Sequence, residues 1–116
     1  MKNEKNNEKL IALVQSLGYR CTIGSENDVL NRYYESAKSI ETDAIVRITG
    51  DCPLVDPKLV DKCIIDFKNS NVDYYSNTDP LTFPDGLDVE IISFDSLERA
   101  NNEALSKFDR QHVTPY

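Results

Sequence analysis

Cysteine and histidine are scarce in this chain: Cys21, Cys52 and Cys63 are its three thiols, and His112 is its single imidazole. The cysteines lie far apart without a C-x-x-C spacing, which argues against both a zinc site and a disulfide framework and fits a cytoplasmic compartment. A lone histidine with no cysteine or aspartate arranged around it gives no nucleophilic triad, so His112 reads as a structural or substrate-edge residue. Positive charge is also short. Thirteen lysines and arginines against twenty aspartates and glutamates give a formal net charge of −7. Such a chain lacks the basic face with which nucleic-acid binders displace phosphate counterions. An anionic substrate is still admissible, because a divalent cation can bridge carboxylate and phosphate oxygens. No apolar run approaches the roughly 20 residues needed to span a bilayer. The Lys/Asn/Glu-rich start has no signal-peptide core, so no membrane association is expected.

With 116 residues, 40% of them hydrophobic, the chain is one small domain or a piece of a larger one. Leu10, Leu13, Val14 and Leu17 share one helical face, and Gly18 supplies a stop. A short strand is expected over 19–23. Ser25-x-x-Asp28 resembles a capping box opening a helix over 27–39, with Val29, Tyr33 and Ala37 as its buried stripe. The β-branched run over 43–49 reads as a strand covered on both faces. Asp56 followed by Pro57 is an N-cap with proline at the first helical position, and Val60, Cys63, Ile64 and Phe67 form that helix's inner face. A strand over 72–76, a punctuated loop over 77–86, a strand over 87–92 and a helix over 93–107 complete the chain. Leu97, Ala100, Ala104 and Phe108 point inward from the last helix. Alternation of this kind predicts an α/β fold, a three-layer α/β/α arrangement with a mostly parallel sheet and one candidate antiparallel strand at 87–92.

Ile48-Thr49-Gly50-Asp51-Cys52-Pro53 carries the strongest functional signal. A strand that runs into Gly-Asp places a carboxylate at its C-terminal tip, the edge of an open α/β sheet where ligands bind. Parallel strands would bring the 24–28, 50–56 and 77–86 loops together there. Their carboxylate, amide and hydroxyl groups suit a hard cation such as magnesium. Cys52 has no adjacent base and reads as a small buried side chain.

Four ordered segments then carry a resemblance: Gly24-Ser25-Glu26-Asn27-Asp28-Val29-Leu30-Asn31-Arg32-Tyr33-Tyr34, Arg47-Ile48-Thr49-Gly50-Asp51-Cys52-Pro53-Leu54, Phe83-Pro84-Asp85-Gly86-Leu87-Asp88-Val89-Glu90 and Arg110-Gln111-His112-Val113-Thr114-Pro115-Tyr116. Together they resemble the spore-coat polysaccharide branch of the cytidylyltransferase family, similar to the enzymes that activate acylneuraminate and deoxy-octulosonate sugars. The resemblance implies the Rossmann-like nucleotide-diphospho-sugar transferase fold. It also implies transfer of a cytidylyl group from CTP to an acidic or modified sugar, with Mg2+ bridging the phosphates. It implies that Asp51 is the metal ligand, that Gly24, Ser25 and Asp28 face the nucleotide, and that Asp85, Gly86, Asp88 and Glu90 lie on the sugar side. No catalytic residue is assigned.

The family's opening strand and its A-R-x-x-S-x-R-L-P-x-K loop, which wraps the triphosphate, have no counterpart among these residues, and relatives continue beyond the position of Tyr116. The expectation is therefore a single partial domain over 1–116 that binds CTP weakly or not at all and does not turn over alone. A sheet deprived of a partner strand would expose an edge open to self-association. Two other readings are a non-catalytic binding or assembly module derived from the same fold and a receiver-like magnesium-binding signalling domain. The second is disfavoured, because no lysine ends a late strand to meet a phosphorylated aspartate.

Overall fold

A computed structural model describes residues 7–80 and 83–116, which divide into two compact units. One contains the chain up to Glu41 together with Leu97–Tyr116, and the other is Thr42–Ser96.

In the Thr42–Ser96 unit, β1 (Ala44–Arg47), α3 (Pro57–Ser70), β2 (Tyr74–Ser76) and β3 (Glu90–Ser93) follow one another. Asp56 caps α3 as the sequence predicts, its carboxylate accepting from the Lys58 N–H at 2.9 Å, with Pro57 opening the helix. Asn71 closes α3 in the left-handed conformation, φ 51°, which asparagine tolerates better than most residues.

The sheet departs from the mostly parallel arrangement expected. Its order is β1-β3-β2, and β3 is antiparallel to both neighbours. The cause is the connection: β1 reaches β2 through α3, a crossover that keeps the two strands in one direction, whereas the segment between β2 and β3 shows no helix among its described residues and brings the chain back reversed. The strand that the sequence marks as a candidate antiparallel one is thus the central strand. One face of the sheet carries Val46, Tyr75, Val89 and Ile91, packed with Leu59 and Cys63 of α3. Cys63 and Ile91 are 1% exposed and Val89 is fully buried, so the heart of this unit is a helix laid on one sheet face.

On the opposite face, the register places Arg47, Glu90 and Ser76 in one row. Glu90 uses both carboxylate oxygens there. Oε2 is paired with the Arg47 guanidinium, and Oε1 accepts from the Tyr74 hydroxyl at 2.8 Å. One carboxylate thereby ties all three strands together.

In the other unit, α1 (Glu8–Ser16) ends at Gly18, whose φ of 82° is the left-handed stop the sequence calls for. None of the helix's own residues is buried, and Leu10, Leu13 and Leu17 remain exposed. The strand expected over 19–23 does not form a regular element. α2 (Val29–Lys38) begins two residues later than expected, and its buried residues are Leu30, Tyr34 and Ala37 rather than Val29, Tyr33 and Ala37. Two apolar doublets, Val29-Leu30 and Tyr33-Tyr34, allow either stripe at helical spacing, and packing chose the one a residue further on.

The single helix expected over 93–107 is two. α4 (Phe94–Glu103) buries Leu97 and Ala100, then a break precedes α5 (Lys107–His112), capped by Ser106, whose hydroxyl oxygen accepts from the Asp109 N–H at 3.0 Å. Ala104 is buried as expected, but Phe108 is 61% exposed, because the break turns it off the inward stripe. No helix among the described residues is long and apolar enough to cross a membrane.

Candidate functional site

The turn after β1 is built by two successive reversals. The Cys52 N–H donates to the Thr49 carbonyl at 3.0 Å, and the Val55 N–H donates to the Cys52 carbonyl at 3.3 Å, delivering the chain to the Asp56 cap. Cys52 is 4% exposed and anchors the turn, while Gly50 and Asp51 stand in solvent. Cys52 is thus the small buried side chain expected of it.

Asp51 is held on one side only. The Thr49 hydroxyl donates to Oδ1, and the Cys52 thiol lies 3.9 Å from the same oxygen. No described residue donates to Oδ2. The Thr49 hydroxyl first, then the aspartate's own backbone N–H and the Cys52 thiol, pull the Asp51 carboxyl below the usual carboxylate range, so it is ionised at neutral pH. An exposed carboxylate with an open oxygen can take a hard cation. Among the described residues no three His, Cys, Asp or Glu side chains converge as a metal cage. The open carboxylate oxygen fits a hard, magnesium-type cation as one of its oxygen ligands.

The register puts the C-terminal ends of β1 and β2 and the start of β3 at one edge of the sheet, so the Asp51 turn and the loop after β2 share that edge. Asn77, counted in the sequence among the amide and carboxylate groups that suit a cation at this edge, has its side-chain amide bonded within the loop and organises it. It is 7% exposed, its Nδ2 donates to the Leu87 carbonyl at 2.9 Å, and its Oδ1 accepts from the Val89 N–H at 2.9 Å. The amide side chain takes the place of a further ladder rung and pins both ends of the loop.

Gly86 adopts φ 90°, a conformation that strains any side chain, so its glycine is required by the backbone. Asp85 is exposed and Asp88 half-buried, both outside a strand. Glu90 is committed to Arg47 and Tyr74, as described above. Leu81 and Thr82, within the 77–86 loop, lie outside the described residues.

The 24–28 turn belongs to the other unit. Ser25 is not the helix cap that a capping box requires. Its hydroxyl oxygen accepts from the Asn27 and Asp28 N–H groups, both at 3.2 Å, and Asp28 is the cap of α2, with Oδ1 accepting from the Asn31 N–H at 3.1 Å. Asp28 Oδ2 accepts from Arg110 Nε at 2.9 Å. Arg110 also donates to the Asn101 and Ala104 carbonyls at 2.9 and 3.1 Å and to Asn101 Oδ1 at 2.8 Å. One guanidinium thereby joins the start of α2 to the end of α4. Gly24 is required by contact: a Cβ there would meet Arg32 Cγ at 2.6 Å. His112 packs against Phe108 with the rings tilted by 41° and their centroids 4.4 Å apart, at the end of α5.

An open groove of about 720 Å³ runs beside β2, walled by Asp66, Asn69, Val72, Tyr74, Tyr75 and Asp79. Asp51 does not line it. Its size reflects a broad shallow edge rather than convergent chemistry, so it is not the candidate site.

Comparison with known proteins identifies the family of the chain. An uncharacterized protein of Methanocaldococcus jannaschii is 42% identical over 113 residues, 97% of this chain and 45% of that protein. The spore coat polysaccharide biosynthesis protein SpsF of Bacillus subtilis is 34% identical over 100 residues, 85% of this chain and 40% of SpsF. A solved cytidylyltransferase from Leptospira borgpetersenii superposes with a TM-score of 0.93 at 32% identity, covering 99% of this chain and 49% of that one. The chain thus spans less than half the length of the relatives it matches. The family model described as Cytidylyltransferase matches residues 4–116, and the chain belongs to the cytidylyltransferase family.

Proposed function

We propose that this chain is part of a CTP-dependent enzyme that activates a sugar for surface-polysaccharide synthesis. In the reaction a sugar hydroxyl oxygen forms a bond to the α-phosphorus of CTP, the bond to the leaving pyrophosphate breaks, and a CMP-sugar results. The observation that carries the reading is the open Oδ2 of Asp51, at the ligand-binding edge of the sheet, in a chain of this family. The name of SpsF supports the polysaccharide context.

Nucleotidyl transfer loads charge on the α-phosphate and on the departing pyrophosphate, so rate depends on neutralising those oxygens. A magnesium ion, when bound by Asp51, would supply that neutralisation between carboxylate and phosphates. The chain's own residues do the positioning. Asp51 offers a fixed, ionised oxygen. The Ser25 oxygen accepts two backbone N–H bonds, which leaves its hydroxyl hydrogen to donate to a nucleotide, and the neighbouring Gly24 belongs to the same nucleotide-facing turn. Asp85 and Asp88 are the carboxylates left for sugar hydroxyls, Glu90 being occupied by Arg47 and Tyr74. Self-association of the chain through an outer strand of the β1-β3-β2 sheet belongs to the same proposal.

These 116 residues contain no glycine- and arginine-bearing phosphate loop, so the chain by itself is expected to bind CTP weakly and to release no pyrophosphate. The test is an NMR titration with CTP and Mg2+ beside a pyrophosphate-release assay. Magnesium-dependent shifts centred on residues 49–52 and lost in Asp51→Asn support the proposal. Shifts produced equally by ATP, or unaffected by Asp51→Asn, would sink it, and robust turnover would show that a separate phosphate loop is not needed.

A further inference from the structure

We propose that Thr49 and Cys52 are positioning residues that hold Oδ1 of Asp51 and so present Oδ2 to a divalent cation; this rests on the reading of Asp51 as the cation-holding carboxylate. An exposed aspartate on a turn ordinarily samples several rotamers, and a cation gains little from a ligand it must first immobilise. Asp51 is different. The Cys52 N–H to Thr49 carbonyl bond closes the turn, so the residues two before and one after in sequence both reach the carboxylate. Thr49 Oγ1 donates to Oδ1, Cys52 Sγ is 3.9 Å from that oxygen, and the two donor atoms are 3.5 Å from each other.

The three atoms form a small closed cluster on one side of the carboxylate. Its other oxygen has no donor among the described residues. The nearest arginine in sequence, Arg47, has Nη1 on Glu90 Oε2. Cys52, 4% exposed, ties the cluster to the packed interior, which makes the turn a platform rather than a flexible tip. A threonine whose hydroxyl served only the turn would donate to a backbone carbonyl. This one donates to the carboxylate.

The test is a Mn2+ titration of the 116-residue chain, followed by water-proton relaxation, with thermal melts to confirm folding. Thr49→Val keeps the shape and removes the donor, and is expected to weaken Mn2+ binding about tenfold, the lower end of what loss of an outer-shell partner costs. Thr49→Ala, which avoids any crowding by a branched side chain, should do the same. Thr49→Ser restores the hydroxyl and should bind within about twofold of the parent, and Cys52→Ala, losing a weaker donor, should cost about two- to threefold. Thr49→Val and Thr49→Ala variants that bind like the parent, while Asp51→Asn abolishes binding, overturn the positioning role and leave Asp51 as the ligand. Binding that is absent in the parent or indifferent to Asp51→Asn overturns both.

Discussion

Asp28 and Asp51 look alike in sequence, each a carboxylate in a loop at the mouth of a regular element, and the structure gives them opposite fates. Asp28 has both oxygens spent inside its own unit, one on the α2 cap and one on Arg110. Asp51 has one oxygen held and one open. The difference teaches that a loop carboxylate becomes a candidate ligand through what the fold leaves unbonded, not through where it sits in the chain. Asp28 is expensive to change and has little to offer a ligand; Asp51 is the reverse.

Arg110→Ala is the strongest way to break that contrast. It strips Asp28 of its cation and frees the Asn101 and Ala104 carbonyls at the end of α4, and the expected cost is about 2–3 kcal/mol in urea unfolding. Asp28→Ala should lose a similar amount, since it removes an N-cap as well. If either variant proves as stable as the parent, the bonds drawn around Arg110 are not holding the unit.

Glu90→Ala comes next. With Arg47 and Glu90 side chains 17% and 14% exposed, removing the carboxylate takes a charged partner from a largely covered guanidinium and cuts the tie across three strands. A loss of about 2 kcal/mol is expected by the same measurement. An unchanged unfolding midpoint together with altered sugar binding would return Glu90 to the substrate side.

The smallest effect separates both aspartates from the alkaline limb of stability. Burial pushes the Cys63 thiol above its ordinary value. The unfolded thiol ionises first, so the stabilisation it gives is full below about pH 8.5 and is lost as pH rises through the higher folded value. Urea midpoints should fall between pH 7 and pH 10, and fall less in Cys63→Ala. Equal slopes in the two proteins would assign that limb elsewhere.

Local chemistry was readable from sequence wherever one residue type has one reason to be present. Asp56-Pro57 announced α3, Gly18 ended α1, and Asp51 stood out at a strand end. Elements that depend on partners far along the chain were not readable. Val29 and Leu30 compete for one stripe, and only packing decides between them. The alternation of helices and strands suggested parallel pairing, yet strand direction was set by a helix-free connection whose consequence is visible only in three dimensions. Arg110 reaches Asp28 across 82 positions, and no local pattern records that. Glu90 alternates as a solvated or sugar-facing residue should, and nothing near it in sequence reveals its commitment to Arg47 and Tyr74.

The insertion of β3 between β1 and β2 has a consequence in time. Neither outer strand bonds the other, so the register pairing 44–47 with 90–93, and 74–76 with 90–92, cannot start until the last strand exists. On a ribosome β1, α3 and β2 emerge before the strand they pair with here, and a nascent chain halted before Glu90 holds none of these pairings. Closure over so many intervening residues is slow compared with helix formation. The final four residues of the sheet thus act as its keystone in assembly order as well as in space.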